Sequence, residues 1–162
     1  MYEIKSPIEV ETKLKVDEKE IILLISKLGK ANWIEQENII YRTAEGFVRL
    51  RREDGEVTLT IKGKRLPGEY NERPEVECGL PLAFFDQVLK SASDGAVVYE
   101  KQRASFNYNG CIVCLDNLNG QYFVEIEGTK DLIDKSIQSL RLGDFPNVKE
   151  DYAQIVVEGK ND

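Results

Sequence analysis

Apolar and polar residues alternate along much of the chain, with turn residues between the runs. Alternation of period two is the mark of a strand with one face covered. It recurs over Ile8–Val16, Ile34–Thr43, Gly46–Glu53, Glu56–Lys64, Glu72–Cys78, Val97–Tyr108, Cys111–Leu118 and Gln121–Glu127. Asp54-Gly55, Asn109-Gly110 and Asn119-Gly120 separate successive runs. These are the pairs that two-residue hairpins favour, because both central positions need positive φ. Four segments carry a helical period instead. Asp17 can cap a helix with Ile21, Leu24, Ile25 and Leu28 on one face, closed by Gly29. Pro81–Ser91 places Phe84, Phe85, Val88 and Leu89 at helical spacing, and Lys130–Leu142 does so with Leu132, Ile133, Ile137 and Leu140. Lys149–Val157 would form a short last helix docking Tyr152, Ile155 and Val156. Short strands joined by tight hairpins predict an α+β chain built on an antiparallel sheet that closes or nearly closes, with helices outside it or across its ends.

The charges change this picture. On a strand, residues i and i+2 share a face. Glu9, Glu11 and Lys13 therefore lie together, opposite Val10 and Thr12. Arg49 and Arg51 lie opposite Val48 and Leu50, and Lys62 and Lys64 opposite Ile61. Arg73, Glu75 and Glu77 share a face, as do Lys101 with Arg103 and Glu125 with Glu127. A solvated sheet face explains any one pair. The whole series, segregated by sign, fits better with these faces turned into a closed barrel. Such an interior cannot be dry, since an isolated buried charge costs several kcal/mol. A wet lumen holding a ligand of matching charge resolves the conflict. Arginine forks and lysines suit phosphate oxygens, and paired carboxylates suit a hard divalent cation. Together they point to a metal–polyphosphate complex.

Composition narrows the class further. The 162 residues favour a single domain over 1–162, and the net charge of −7 opposes overall attraction to nucleic acid or an anionic membrane. The longest clearly apolar run, Ile21–Ile25, is far short of the roughly 20 residues of a membrane helix. Met1–Lys5 lacks the layout of a secretory leader. Three cysteines make no disulfide framework, so a reducing cytoplasm is the expected compartment. The chain has no histidine, which excludes His-based triads, His-ligated zinc and His acid–base chemistry. Cys111 and Cys114 have C-x-x-C spacing, but on a strand their sulfurs face opposite ways. Lys62-Gly-Lys64-Arg65 precedes the Pro67-Gly68 loop; Lys62 is expected to meet phosphate and the rest to be solvated. Trp33 is expected to pack in the core or at the barrel end, and Phe84 and Phe85 within their helix.

The charged residues also carry a family resemblance. Glu9-Val-Glu11-Thr-Lys13 resembles the E-x-E-x-K signature of the CYTH family of triphosphate-tunnel metalloenzymes. In order after it, Phe47-Val-Arg49-Leu-Arg51 is similar to the L-R-x-R strand, Leu59-Thr-Ile-Lys62-Gly63 to L-T-x-K-G and Arg73-Pro-Glu75-Val-Glu77 to R-x-E-x-E. Glu100-Lys101-Gln-Arg103 is similar to the K-x-R strand, and Leu115-Asp116 with Phe123-Val-Glu125-Ile-Glu127 to the L-D and F-x-E-I-E close. Asp151-Tyr152 stands at a late S-Y element, with Asp in place of Ser. Ile40, rather than Tyr41, stands where family members often carry a Tyr beside a catalytic Lys, and the glycine before the last strand is shifted to Gly120.

The resemblance implies an eight-stranded antiparallel tunnel. It implies that Glu9, Glu11, Asp116, Glu125 and Glu127 hold Mg²⁺ or Mn²⁺. Lys13, Arg49, Arg51, Lys62, Lys101 and Arg103 would bind phosphates, with Lys62, Glu9 and Glu11 as catalytic residues. Arg73, Glu75 and Glu77 would be a secondary lining. The expected partner is a triphosphate-containing small molecule, and the family makes a homodimer plausible. The expected activity is metal-dependent hydrolysis of inorganic triphosphate, thiamine triphosphate or a nucleoside triphosphate. Two alternatives stand beside it: class IV adenylyl cyclase, and a non-catalytic polyphosphate- or nucleotide-binding module.

Overall fold

A computed structural model describes residues 8–92 and 95–160, so the reading of Met1–Lys5 as no leader lies outside the described residues. The strands are β1 (Ile8–Val16), β2 (Ile34–Arg42), β3 (Phe47–Glu53), β4 (Glu56–Lys62), β5 (Asn71–Leu80), β6 (Ala96–Tyr108), β7 (Cys111–Leu118) and β8 (Gln121–Glu127). They close into a barrel in the order β1-β5-β4-β3-β2-β6-β7-β8. Every neighbouring pair is antiparallel. The expected architecture is thus present, with no free sheet edge among the described strands.

The hairpins form as their residues dictate. Asp54, Asn109 and Asn119 have φ of 48°, 47° and 52°, and the glycines after them are also positive. One other glycine is required for a different reason. A Cβ at Gly46 would lie 2.0 Å from the Lys62 carbonyl oxygen, so only glycine lets the start of β3 approach the end of β4. That end differs from expectation. β4 stops at Lys62, and Lys64 is exposed rather than sharing the lumen with it. The chain turns away toward Pro67-Gly68, although Leu66 N still donates to Glu72 O.

Among the described residues, four helices dress the barrel: α1 (Glu18–Leu28), α2 (Ala83–Lys90), α3 (Lys130–Ser139) and α4 (Tyr152–Lys160). Asp17 caps α1 by accepting from Glu20 N at 2.8 Å, as its position predicts. Thr129 caps α3 through Leu132 N. The apolar faces of α1 and α3 cover the outside of β1, β7 and β8, where Leu14, Leu24, Val113, Leu115, Val124, Ile126 and Ile133 form the largest core. α2 packs Phe85 against Ile39, Leu50 and Val57. Phe84 beside it is 50% exposed and Trp33 40% exposed, so neither packs as expected. α4 begins three residues later than predicted and does not merely dock on the wall. Its first residues, Tyr152 and Ala153, pack with Ile40, Phe47, Tyr99, Leu118 and Phe123 and stop one end of the barrel.

Candidate active site

The inward faces enclose a cavity of about 280 Å³. Glu9, Glu11 and Lys13 from β1 line it, with Arg49 and Arg51 from β3, Lys62 from β4, and Glu75 and Glu77 from β5. Arg103 from β6 and Glu125 and Glu127 from β8 complete the ring. Strand alternation alone places all of these side chains inward, while outward neighbours such as Leu50, Val124 and Ile126 fill the cores described above and Ile61 and Val76 stay exposed. Three predicted residues are elsewhere. Lys101 and Asp116 lie in the wall behind the lining, both wholly buried, and Arg73 faces a separate cleft.

The basic groups are crowded. Arg51 Nε donates to Asn38 Oδ1 at 2.7 Å. Burial, then Arg49 and Arg103, bring the Arg51 guanidinium down to about 10. Arg49 donates to Thr60 Oγ1 at 3.3 Å, yet its buried Nε has no partner among the described residues. Lys62 Nζ donates to Glu9 Oε1 at 3.1 Å and lies 3.7 Å from Glu75.

The acidic groups are equally close. Burial, then Glu125 and Glu9, raise the Glu11 carboxyl well above its ordinary value. Burial also acts to raise Glu9, but Lys62 and a hydrogen bond with Glu11 outweigh it and leave Glu9 lowered. The two neighbouring carboxyls are thus shifted in opposite directions, as like charges in contact favour. Among the described residues, no three carboxylates are gathered as a ready metal cage. The donor set nevertheless suits a hard divalent ion: Glu9, Glu11, Glu125 and Glu127 all offer oxygen to one cavity, and Glu11 faces Glu127 across the β1–β8 ladder.

Asp116 has a different setting. Its Oδ1 accepts from Arg103 Nε at 2.7 Å, and its Oδ2 accepts from Arg103 Nη2 at 2.6 Å and from the Tyr152 hydroxyl at 2.5 Å. Lys101 Nζ stands 3.0 Å from Oδ1, an ion pair without hydrogen-bond alignment. Despite complete burial, Arg103 and Lys101 hold the Asp116 carboxyl far below the ordinary range. Arg103 also reaches Glu125 at 2.7 Å. Asp116 thus fixes the Arg103 fork from behind and aims it into the cavity.

Several lining residues escaped sequence reasoning. Tyr99 shares the β6 face of Lys101 and Arg103, and Phe47 the β3 face of Arg49, so alternation contained both. Gln36 on β2 was legible in the same way. Tyr152 was not, since its role depends on α4 entering the barrel. Its ring lies 4.1 Å from Lys13 Nζ and 4.5 Å from Lys101 Nζ. Ile40 does face the cavity, while Tyr41 packs outside with the α2 cluster. Cys114 faces the cavity and Cys111 the outer core, as alternation predicts.

A closed barrel with this charged interior can be compared with known proteins. The CYTH domain matches the chain over residues 7–142. The chain belongs to the CYTH family. Solved structures share its fold at low identity. A conserved hypothetical protein from Pyrococcus furiosus is 21% identical with a TM-score of 0.71, the match covering 90% of this chain and 98% of that one. A candidate adenylyl cyclase from Hippeastrum, described as having a dominant triphosphatase activity, is 18% identical with a TM-score of 0.68, covering 95% and 96%. A candidate adenylate cyclase from Vibrio parahaemolyticus is 16% identical with a TM-score of 0.63, covering 94% and 99%. No curated protein matches the chain by sequence. The CYTH match ends at residue 142, before Tyr152 and α4.

Proposed function

We propose that this CYTH protein hydrolyses a small triphosphate compound with the help of Mg²⁺ or Mn²⁺. The observation that carries the reading is the crowding of like charges within one cavity, three arginines on one side and paired glutamates on the other. Burial, then Arg49 and Arg103, lower the Arg51 guanidinium, while burial, then Glu125 and Glu9, raise the Glu11 carboxyl in the same cavity. A polyanion carrying a divalent ion relieves both.

Glu9, Glu11, Glu125 and Glu127 would hold the ion. A divalent ion there would neutralise charge on phosphate oxygens and orient them. The protein's own cations supply the rest. Arg49 offers a buried Nε–H with no partner among the described residues, ready for a phosphate oxygen. Arg51 is steadied by Asn38 and Arg103 by Asp116, so both forks are set before a ligand arrives. Lys62 exchanges its bond to Glu9 for one to phosphate. Phosphoryl transfer depends mainly on such positioning and charge stabilisation. Lys101 and Asp116, expected as phosphate and metal ligands, act in this scheme by holding Arg103 and Tyr152.

The lining also favours a compact substrate. Among the described residues, three aromatic rings border the cavity, and all three are buried. Arg42 and Arg73 lie over Phe47, Lys13 and Lys101 over Tyr152, and Tyr99 is buried. Inorganic triphosphate therefore ranks ahead of a nucleoside triphosphate. Product analysis tests this with inorganic triphosphate, thiamine triphosphate and ATP, each with Mg²⁺ or Mn²⁺. Phosphate release should be greatest from inorganic triphosphate and should vanish in Glu9→Ala/Glu11→Ala. Cyclic AMP with pyrophosphate from ATP would overturn hydrolysis, and binding without turnover would reduce the protein to a binding module.

A further inference from the structure

Beside the plugged end of the barrel lies a second cavity of about 380 Å³ that the catalytic reading does not use. Among the described residues, four cations border it: Arg42 at the end of β2, Arg65 in the β4–β5 loop, Arg73 on β5 and Lys149 just before α4. Glu45, Glu150, Asp151 and Gln154 complete it. Asp151 is already engaged. It accepts from Arg42 Nη1 at 2.6 Å and Nη2 at 2.7 Å, and from Gln154 N at 2.9 Å. That leaves Arg65, Arg73 and Lys149, and none of the three has a carboxylate within ion-pair distance among the described residues.

These three are nonetheless held in place. Arg65 Nη1 donates to Lys149 O at 3.0 Å and to Asn71 Oδ1 at 3.4 Å. Lys149 Nζ donates to the carbonyls of Gly68 and Glu69. Arg73 rests its guanidinium 5.6 Å from the Phe47 ring centre. Backbone carbonyls and a ring fix these cations without neutralising them. Burial, and then Arg65, hold the Lys149 ammonium below its ordinary value, which fits surplus positive charge. The cleft also adjoins the tunnel. Asp151 lines both cavities, and Phe47, which lines the tunnel, carries Arg42 and Arg73 over its ring.

We propose that the cleft formed by Arg65, Arg73 and Lys149 is a second phosphate-oxyanion site, outside the catalytic tunnel and next to its plugged end. Arg forks and a lysine converging on one polar recess suit tetrahedral oxyanions. Glu45 and Glu150 oppose tight binding, so the site acts as a transient station and not as a store. Two sources share this chemistry: orthophosphate, and a phosphoryl unit of a linear polyphosphate longer than three units. The kinetic part of the inference rests on the hydrolase reading; the binding part does not.

The binding test uses the isotope-labelled full chain, with inorganic phosphate as the probe and chloride at matched ionic strength as the control. Wild type is compared with the charge-removing pair Arg65→Gln/Lys149→Gln and with the tunnel variant Arg49→Ala/Lys62→Ala. Phosphate should shift the amide signals of Gly68 and Lys149 and the Arg65 Nε signal in wild type and in the tunnel variant. The apparent affinity should fall at least fivefold in Arg65→Gln/Lys149→Gln, which keeps polar side chains. No shift at the cleft, equal shifts with chloride, or loss of the shifts in the tunnel variant would each overturn the proposal. None of these readouts needs turnover, so a chain that hydrolyses nothing still decides the matter. Once the cleft is shown to bind, hydrolysis identifies the source. A raised KM in Arg65→Gln/Lys149→Gln for a longer polyphosphate but not for triphosphate assigns it to the chain; an unchanged KM for both assigns it to orthophosphate.

Discussion

Lys101 shows how far one residue's surroundings can move its chemistry. Its ammonium is wholly buried between Asp116, Arg103 and the Tyr152 ring. Burial, with Arg103 next, brings it from 10.5 down to about 7. The consequence for stability has a definite sign. Between about 7 and 10.5 the unfolded chain binds a proton that the folded chain has released, so stability rises with pH across that window. Below about 7 both states are protonated, and the cost of the buried charge is present in full. Lys101→Met, of similar length and without charge, should remove this slope. Urea midpoints measured from neutral to about pH 10 should show wild type gaining on the variant as pH rises. A pH-independent difference would mean that Asp116 keeps Lys101 charged throughout. Glu11 shifts the other way: burial, then Glu125 and Glu9, raise its carboxyl well above the ordinary value.

At the scale of elements, the barrel depends on close approaches that no hydrophobic pattern reveals. Gly46 lets β3 begin against the last residue of β4, whose side chain is Lys62 in the cavity. A methyl group 2.0 Å from the Lys62 carbonyl forces the strands apart. Gly46→Ala should destabilise the fold by about 1–3 kcal/mol, the range of overpacking, and should lower turnover through displaced Lys62. Denaturation and triphosphate hydrolysis on one preparation check both effects. Unchanged stability would show that the hairpin relaxes freely. α4 is the other element with a disproportionate part. The reciprocal bonds between Asp151 and Gln154 start the helix, and the Arg42 fork ties Asp151 to the end of β2. Lys13 donates to the Glu150 carbonyl at 2.8 Å. The plug is therefore anchored by residues of the wall that it closes.

The whole molecule has a net charge of −7 and still concentrates cations where a polyanion would sit. Its interior is polar at the centre and apolar outside, the reverse of a small globule with one dry core. Such a barrel should gain stability when its charges are matched. Inorganic triphosphate with Mg²⁺ at about 100 times its dissociation constant should add about 2.7 kcal/mol. That corresponds to a rise in Tm of roughly 5–10 °C for a chain of this size. Triphosphate alone or Mg²⁺ alone should do less, and Glu9→Ala/Glu11→Ala should lose the joint effect. A differential scanning trace in which sodium chloride at equal ionic strength does as well would contradict a specific complex.

Sequence by itself determined the strands, their hairpins and the inward face of each, because period-two alternation and Asx-Gly turns are local properties. It therefore also determined that Glu9, Glu11, Arg49, Arg51, Lys62, Arg103, Glu125 and Glu127 share one lumen once the sheet closes. The tertiary structure decided what depends on depth and on chain crossings. Lys101 and Asp116 lie on the predicted faces, yet they form the wall behind Arg103, since alternation gives the side of a strand and not the distance to solvent. Arg73 turns to the outer cleft because β5 begins at the barrel end, where its inward face meets the loops. Tyr152 enters the lumen only because α4 folds back across it, bringing together residues 36 apart in the chain. The cleft of Arg65 and Lys149 likewise joins two loops, with a hydrogen bond spanning 84 positions, which no local pattern contains.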